Sequence, residues 1–171
     1  MSEGPVNFGK PLLWIVILGC VGGGYYAKTH WPTSYEGTGW RFKLPHEWEV
    51  SPANDPADAS KIVAHGPLPK SPSGEEQEGV AWAKVVYHGT LDWNIFMQNN
   101  LQGTPDWSED IELDTKKCRM FMYEDQTTRY LGAAVDRGDA MVMVAIGTNK
   151  TNFPLQKAVF DDVIRSIRCE R

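Results

Sequence analysis

The chain opens with an uncharged apolar run and continues as a longer stretch in which apolar and polar residues alternate. Residues 11–27 read PLLWIVILGCVGGGYYA and contain no charged side chain. As a helix this segment is roughly 25 Å long, slightly less than a hydrocarbon core, and Lys10 can extend its charged end to the interface. The pattern predicts a tail over 1–10 and a single transmembrane anchor over 11–27, whose apolar side chains are Leu12, Leu13, Trp14, Ile15, Val16, Ile17 and Leu18.

The glycine run inside this segment has two interpretations. Consecutive glycines weaken a helix, so the helix could simply fray at Gly22, Gly23 and Gly24. In lipid the same small residues let another backbone approach closely. They are therefore also candidates for a contact with a neighbouring transmembrane helix.

Processing of the N-terminus offers an alternative to a retained anchor. Ile17-Leu18-Gly19-Cys20 has the outline of a bacterial lipoprotein signal, in which Cys20 would be lipidated and residues 1–19 removed. A plain signal peptide cut after residues 21–23 is a further alternative. Glu3 and a lone Lys10 make a poor positive region for the lipoprotein signal. We favour the retained anchor.

Beyond residue 27 the hydrophobic pattern predicts a linker over 28–38 and one domain over 39–171. Period-2 alternation predicts strands, and apolar residues at helical spacing predict two helices. On the second helix, Leu155, Ala158, Val159, Val163 and Ile167 are expected to share the buried face. One helix is predicted to begin after Thr90 and a second to cover 154–168, and loops are predicted over 51–60 and 66–79. The predicted strands cover 39–45, 48–50, 61–65, 80–88, 112–123, 128–136 and 140–148.

This order of elements predicts the fold class α+β. Strands come first, a helix follows, and then an antiparallel strand meander precedes the terminal helix. Such segregation is typical of an antiparallel sheet with covering helices.

Composition and motifs exclude several classes of function. The 171 residues carry 17 Lys+Arg and 22 Asp+Glu, a net charge of −5, whereas a nucleic-acid-binding protein needs a concentrated basic patch. The four histidines show no metal-binding spacing, and no nucleophile or phosphate-binding motif occurs. We expect no nucleic-acid partner, no catalytic residue, no metal and no cofactor. An enzyme with a site assembled from scattered histidines and carboxylates is the alternative.

Cysteines and tryptophans supply the remaining candidates. Cys118 falls in a predicted strand and Cys169 at the end of the terminal helix, so a disulfide between them would clip that helix to the sheet. Two separate free thiols, one buried and one exposed, are the alternative. Trp31 and Tyr35 lie where an interfacial aromatic belt would follow the anchor and are candidates for the extrinsic interface. Trp107, in a loop, is either a core residue or a contact with a partner.

The opening of the domain resembles a known family. Gly39-Trp40-Arg41-Phe42-Lys43-Leu44-Pro45-His46-Glu47-Trp48 is similar to the G-F-x-F-x-x-P-x-x-W opening of PsbP-like domains, and the ending Phe160…Ile164-Arg165-Ser166-Ile167 also fits. The likeness covers residues 36–168. It implies an α/β/α sandwich of the kind that sits outside the membrane on the lumenal or periplasmic side. Several such proteins assist photosystem assembly or stability.

The resemblance and the anchor together imply an accessory role. We expect a non-enzymatic, single-pass subunit that contacts membrane lipid and the subunits of a larger membrane complex. A photosynthetic or electron-transport assembly such as a reaction centre is the first candidate. The extrinsic domain would lie on the periplasmic or lumenal side. The alternative is a free-standing periplasmic lipoprotein or binding module anchored through Cys20.

Overall fold

The structure is a computed structural model that describes residues 32–37, 39–52, 61–87, 93–101 and 105–170. The predicted anchor, the glycine run, Cys20 and Trp31 lie outside the described residues. Within the described ranges no helix combines the length and the apolar character needed to cross a bilayer.

The described residues form two antiparallel sheets. The small sheet has β2 in its centre, with β1 and β10 on either side. The large sheet has seven strands in the order β3-β4-β5-β9-β8-β7-β6. The strands are β1 Thr33–Gly37, β2 Trp40–Leu44, β3 Glu49–Pro52, β4 Ile62–Leu68, β5 Gln77–Tyr87, β6 Trp107–Leu113, β7 Lys116–Glu124, β8 Thr128–Asp136, β9 Ala140–Asn149 and β10 Arg168–Cys169.

Two helices lie on opposite faces of the large sheet. Helix α1 covers Trp93–Asn100 and helix α2 covers Phe153–Arg165. One hydrophobic cluster joins α2, the small sheet and one face of the large sheet, and a second joins the end of α1 to the other face. On β8 and β9 the first cluster contains Leu131, Ala133, Val135, Val142, Val144 and Ile146, and the second contains Tyr130, Ala134, Met141, Met143 and Ala145. The domain is therefore mostly antiparallel sheet with few helices.

The strand meander β7-β8-β9 follows the predicted pattern closely at β8 and β9. The turn between them is at Arg137 and Gly138, as the sequence predicts, and Gly138 has a φ of 100°. Only glycine adopts that conformation at little cost. Arg137 N donates to Ala140 O at 2.9 Å and closes the hairpin.

The predicted loop over 66–79 is shorter in the structure, where β4 continues to Leu68 and β5 begins at Gln77. Gly66 and Gly79 face each other across the two strands. A Cβ on either glycine would lie 2.4 or 2.7 Å from the indole of Trp48, so the glycines make room for that ring. Trp48 Nε1 donates to Pro67 O at 2.9 Å, which ties the ring to the hairpin.

The strand expected before β8 also differs from the prediction. The single strand expected over 112–123 is two strands, β6 and β7, joined at Asp114 and Thr115 with φ values of 52° and 64°. Two consecutive positive φ angles are typical of a two-residue hairpin turn. The turn escaped prediction because it lacks the glycine that usually marks it.

Part of the predicted linker over 28–38 is ordered as β1. Its residues pair with β2 along their whole length, from Thr33 opposite Leu44 to Gly37 opposite Trp40. Tyr35 Oη donates to Trp48 O at 2.6 Å. Strand β10, a two-residue pairing with β2, was also not predicted, since so short a strand leaves no periodic pattern.

Helix α2 buries a face that only partly overlaps the predicted one. Val163 and Ile167 are buried and Val159 packs against the same cluster, but Leu155 and Ala158 are exposed. Its buried residues are Phe153, Gln156, Phe160, Val163 and Ile164, whereas Leu155 is 53% exposed. The apolar pattern misplaced the face because Gln156 is polar yet buried. Gln156 Nε2 donates to Pro69 O and to Gln77 Oε1, both at 2.8 Å. Among the described residues Gln156 Oε1 and Gln77 Nε2 have no partner, so the buried pair is held through Gln156 Nε2 alone.

Alanine substitutions of Phe160 and Leu155 test which face of α2 is buried. Phe160→Ala should lower the free energy of unfolding by about 3–5 kcal/mol, because it removes a fully buried ring. Leu155→Ala should change it by no more than about 0.5 kcal/mol. Urea unfolding followed by circular dichroism measures both. Equal losses for the two variants would contradict the buried face described above.

The buried amide contact gives a second test. Gln156→Ala should lower the free energy of unfolding by about 1–3 kcal/mol, because Pro69 O and Gln77 Oε1 would lose a buried donor. Gln98→Ala, at an exposed position of α1, is the control and should have little effect. The same urea titrations apply, and a neutral Gln156 variant would count against the contact.

Candidate functional site

A cavity lies on the α1 side of the large sheet, between the end of the helix and the strands. Its volume is about 200 Å³. Strands β4, β5, β7 and β8 and the last turn of α1 all contribute to its walls. The lining residues are Lys61, Val63, Val80, Trp82, Lys84, Asn100, Leu101, Tyr123, Asp125 and Tyr130.

Alternation along the strands places the cavity residues on this face. Val80, Trp82 and Lys84 are two residues apart on β5, so they point to the same side of the sheet. Across the sheet Trp82 stands opposite Ala145 of β9, and Ala145 stands opposite Gly132 of β8. The Phe121 ring fills the space above Gly132, and the larger side chains of β5, β7 and β8 line the cavity.

Gly147 on β9 leaves room for the ring of Tyr130 at the side of the cavity. It pairs with Val80 on one side and Tyr130 on the other. A Cβ at this glycine would lie 2.2 Å from Arg129 O and 2.8 Å from Tyr130 Cδ1. The ring of Tyr130 therefore occupies space that any side chain at position 147 would take.

Three aromatic residues are connected through their polar ends. Trp82 Nε1 donates to Tyr123 Oη at 2.9 Å. The rings of Tyr123 and Tyr130 stack, with centroids 4.7 Å apart and planes 7° from parallel. Tyr130 Oη donates to Asp125 Oδ2 at 3.1 Å. A continuous aromatic wall thus ends at a carboxylate.

Asp125 is held ionised by its own turn. Burial by itself would raise the pKa of Asp125, but hydrogen bonds from the backbone N–H groups of Thr128 and Thr127 and from the Tyr130 hydroxyl outweigh it and lower the pKa. Those two N–H groups lie 2.7 and 2.9 Å from Oδ1. The carboxylate is therefore committed to the turn between β7 and β8.

Both tyrosines of the wall are held neutral. Burial, with a smaller contribution from the Asp125 carboxylate, raises the pKa of Tyr130 to about 12. Burial also raises the pKa of Tyr123 well above its usual range, although the hydrogen bond from Trp82 opposes the shift. Tyr123 accepts from Trp82, and its own hydroxyl proton has no acceptor among the described residues, so it is available to a molecule in the cavity.

Two lysines stand beside the indole at the other side of the cavity. Lys61 Nζ lies 6.0 Å and Lys84 Nζ 5.9 Å from the centre of the Trp82 ring. Lys84 Nζ also donates to Asn100 O at 3.2 Å, which links β5 to the end of α1. The cavity therefore has cationic groups beside Trp82 and a carboxylate beside Tyr130.

Sequence reasoning did not single out this site. The alternation of Val80, Trp82 and Lys84 could have placed them on one face, but nothing in the sequence indicates that β7 and β8 would add side chains to that face from beyond β9. Trp82 and Tyr123 are 41 residues apart in the chain. Their contact depends on the order of strands in the sheet, which no local pattern encodes.

The predicted contact residues are not brought together. Tyr35 is half-buried on the small sheet, where its hydroxyl bonds to Trp48 O and its ring packs against the α2-side cluster. Trp107 begins the edge strand β6 and is 37% exposed. Of the predicted contact residues that the structure describes, Trp107 has the larger exposed surface.

Cys118 and Cys169 are free thiols in the structure, and both are buried. They belong to one hydrophobic cluster. Burial, with a contribution from Cys169, raises the pKa of Cys118 to about 12, and burial raises the pKa of Cys169 to about 11. The exposed thiol expected as one alternative is not seen, and a disulfide between the two remains a prediction.

The histidines of the described region do not gather with other metal-binding groups. No group of three His, Cys, Asp or Glu side chains in that region is placed to hold a metal ion. His65 lines a second, wider groove of about 460 Å³, together with the acidic residues Glu47, Glu49, Glu76 and Glu78.

Comparison with solved structures identifies the fold. Cyanobacterial PsbP (CyanoP) from Synechocystis matches with a TM-score of 0.58 and 11% sequence identity, over 82% of this chain and 93% of that one. Protein PA94 of unknown function from Pseudomonas aeruginosa matches with a TM-score of 0.50 and 11% identity, over 82% and 98% of the two chains. No family model and no curated protein matches the sequence. The domain has a PsbP-like fold, which confirms the resemblance at the level of the fold.

The raised pKa of Tyr130 predicts a loss of stability at high pH. Between pH 10, the usual tyrosine pKa, and about 12 the folded state keeps a proton that the unfolded chain has lost. The unfolded state then binds fewer protons, so the free energy of unfolding falls as the pH rises through this window. Urea unfolding at several pH values measures the fall. Tyr130→Phe removes this titrating group and should reduce the fall in the free energy of unfolding between pH 10 and about 12. An equal fall in the variant and the unmodified chain would rule out the contribution of Tyr130.

Proposed function

We propose that this chain is a non-enzymatic accessory subunit of a larger membrane complex, with its PsbP-like domain outside the bilayer. The observation that carries the proposal is the fold, whose similarity to cyanobacterial PsbP covers 93% of that chain. PsbP-like domains are extrinsic, and several of them serve photosystem assembly or stability. A photosynthetic or electron-transport complex is therefore the first partner to test.

The uncharged residues 11–27 supply the attachment in this proposal. A single helix of this length would hold the domain at the membrane surface, with Gly22–Gly24 as a close contact for a neighbouring helix. In this proposal the domain lies on the periplasmic or lumenal side, and the extrinsic position of PsbP-like domains supports that choice.

Strand β6 supplies the extrinsic contact in this proposal. Trp107 combines a large apolar surface with 37% exposure at an edge of the large sheet. Aromatic residues of this kind are enriched among the residues that dominate binding energy at protein interfaces. Trp107 is accordingly assigned to the contact with the partner complex.

Extraction of native membranes with a mild detergent, followed by sizing, tests the proposal. We expect the full chain to co-migrate in fixed stoichiometry with a large pigment or redox complex. Migration alone, at the mass of one chain with its detergent, would overturn the accessory role. An intact mass that lacks residues 1–19 and carries added lipid at Cys20 would instead establish the lipoprotein alternative.

A pair of surface variants tests the assigned contact. Trp107→Ala should reduce the co-migrating fraction about tenfold or more, as expected when an anchoring aromatic residue is lost from an interface. Leu155→Ala removes another exposed apolar side chain, on α2, and should leave the fraction unchanged. Equal behaviour of the two variants would remove Trp107 from the interface while leaving the accessory role to the extraction experiment.

A further inference from the structure

The cavity beside Trp82 has no part in the accessory role proposed above. We propose that it is a binding site for a small aromatic carboxylate, with the ring against the Trp82–Tyr123–Tyr130 wall and the carboxylate toward Lys61 and Lys84. The site would give the domain a ligand of its own, independent of any partner complex.

The size of the cavity suits a single ring with a short acidic arm. An engineered apolar cavity of about 150 Å³ holds one benzene molecule. The cavity here measures about 200 Å³, which leaves room for a carboxylate on a one- or two-atom linker. A ligand with several fused rings would exceed this volume.

The walls favour an aromatic ring over an inorganic anion. Val63, Val80 and Leu101 line the cavity together with the three aromatic side chains. An inorganic anion needs several hydrogen-bond donors around it, whereas the two lysines of this lining both stand beside Trp82 and the apolar side chains provide no donor. A planar ring can instead stack or pack edge-on against the indole and phenol rings.

The charged side chains at the two ends of the cavity set the orientation of the ligand's carboxylate. Lys61 and Lys84 place two ammonium groups within about 6 Å of the Trp82 ring. A carboxylate at this end would gain charge-assisted hydrogen bonds in a partly desolvated setting. At the opposite end the Asp125 carboxylate already accepts bonds from its turn and from Tyr130. A second anion there would be repelled, so the acid group belongs at the lysines.

Titration with phenylacetate tests the site on the full chain in mild detergent. The indole ¹⁵N–¹H resonance of Trp82, assigned through its loss in Trp82→Phe, should shift and saturate with a Kd near 1 mM, as expected for about ten ligand atoms. Phenylacetamide has the same shape without the charge and should bind at least tenfold more weakly. Sodium sulfate at the same ionic strength should not reproduce the shift.

Two lysine variants test whether Lys61 binds the carboxylate of the ligand. Lys61→Met should weaken phenylacetate about tenfold and leave phenylacetamide unchanged, so that the preference for the acid is lost. Lys43→Met removes an exposed lysine from the small sheet and should bind both probes as the unmodified chain does. Circular dichroism checks that each variant is folded.

Three results would overturn the inference. The first is the absence of a saturable shift with phenylacetate, and the second is equal affinity for the acid and the amide. The third is an equal shift with sulfate, which would indicate a general anion site. None of these results depends on co-migration with a membrane complex, so the ligand site and the accessory role stand or fall separately.

Discussion

On β8 and β9 both faces of the large sheet are removed from water, over residues 130–135 and 140–148. A sheet that is apolar on both faces needs a covering layer on each side. Helix α2 and the small sheet cover one face. Among the described residues, helix α1 is only about 12 Å long and packs on part of the other face. The cavity beside Trp82 lies where that cover ends.

The sequence predicted the elements with strong local patterns. The hairpin at Gly138 and the helix after Pro154 are both where the pattern of apolar residues and turn signals places them. It failed where a tertiary contact decided the outcome. Gln156 is buried with Pro69 and Gln77 as acceptors of its hydrogen bonds. The sequence around a glutamine does not show which distant residues will accept its hydrogen bonds.

The candidate site was less predictable than the fold. Each of its residues follows the ordinary alternation of its own strand, but the site exists only because β5, β9, β8 and β7 are neighbours in that order. Small residues contribute as much as large ones, since Gly147 leaves the space that the Tyr130 ring fills. A pattern search that looks for reactive side chains passes over such positions.

The two edges of the large sheet limit what can join it. Strand β3 ends with Pro52, which has no N–H to offer, and strand β6 carries the exposed acidic residues Glu109 and Glu112. Proline and charge at an edge oppose the addition of a further strand. A second copy of this chain would bring the same carboxylates to β6 and meet electrostatic repulsion. Polymerisation through this edge is thus disfavoured, and a protein that docks on β6 must bring basic groups of its own or engage side chains rather than the backbone.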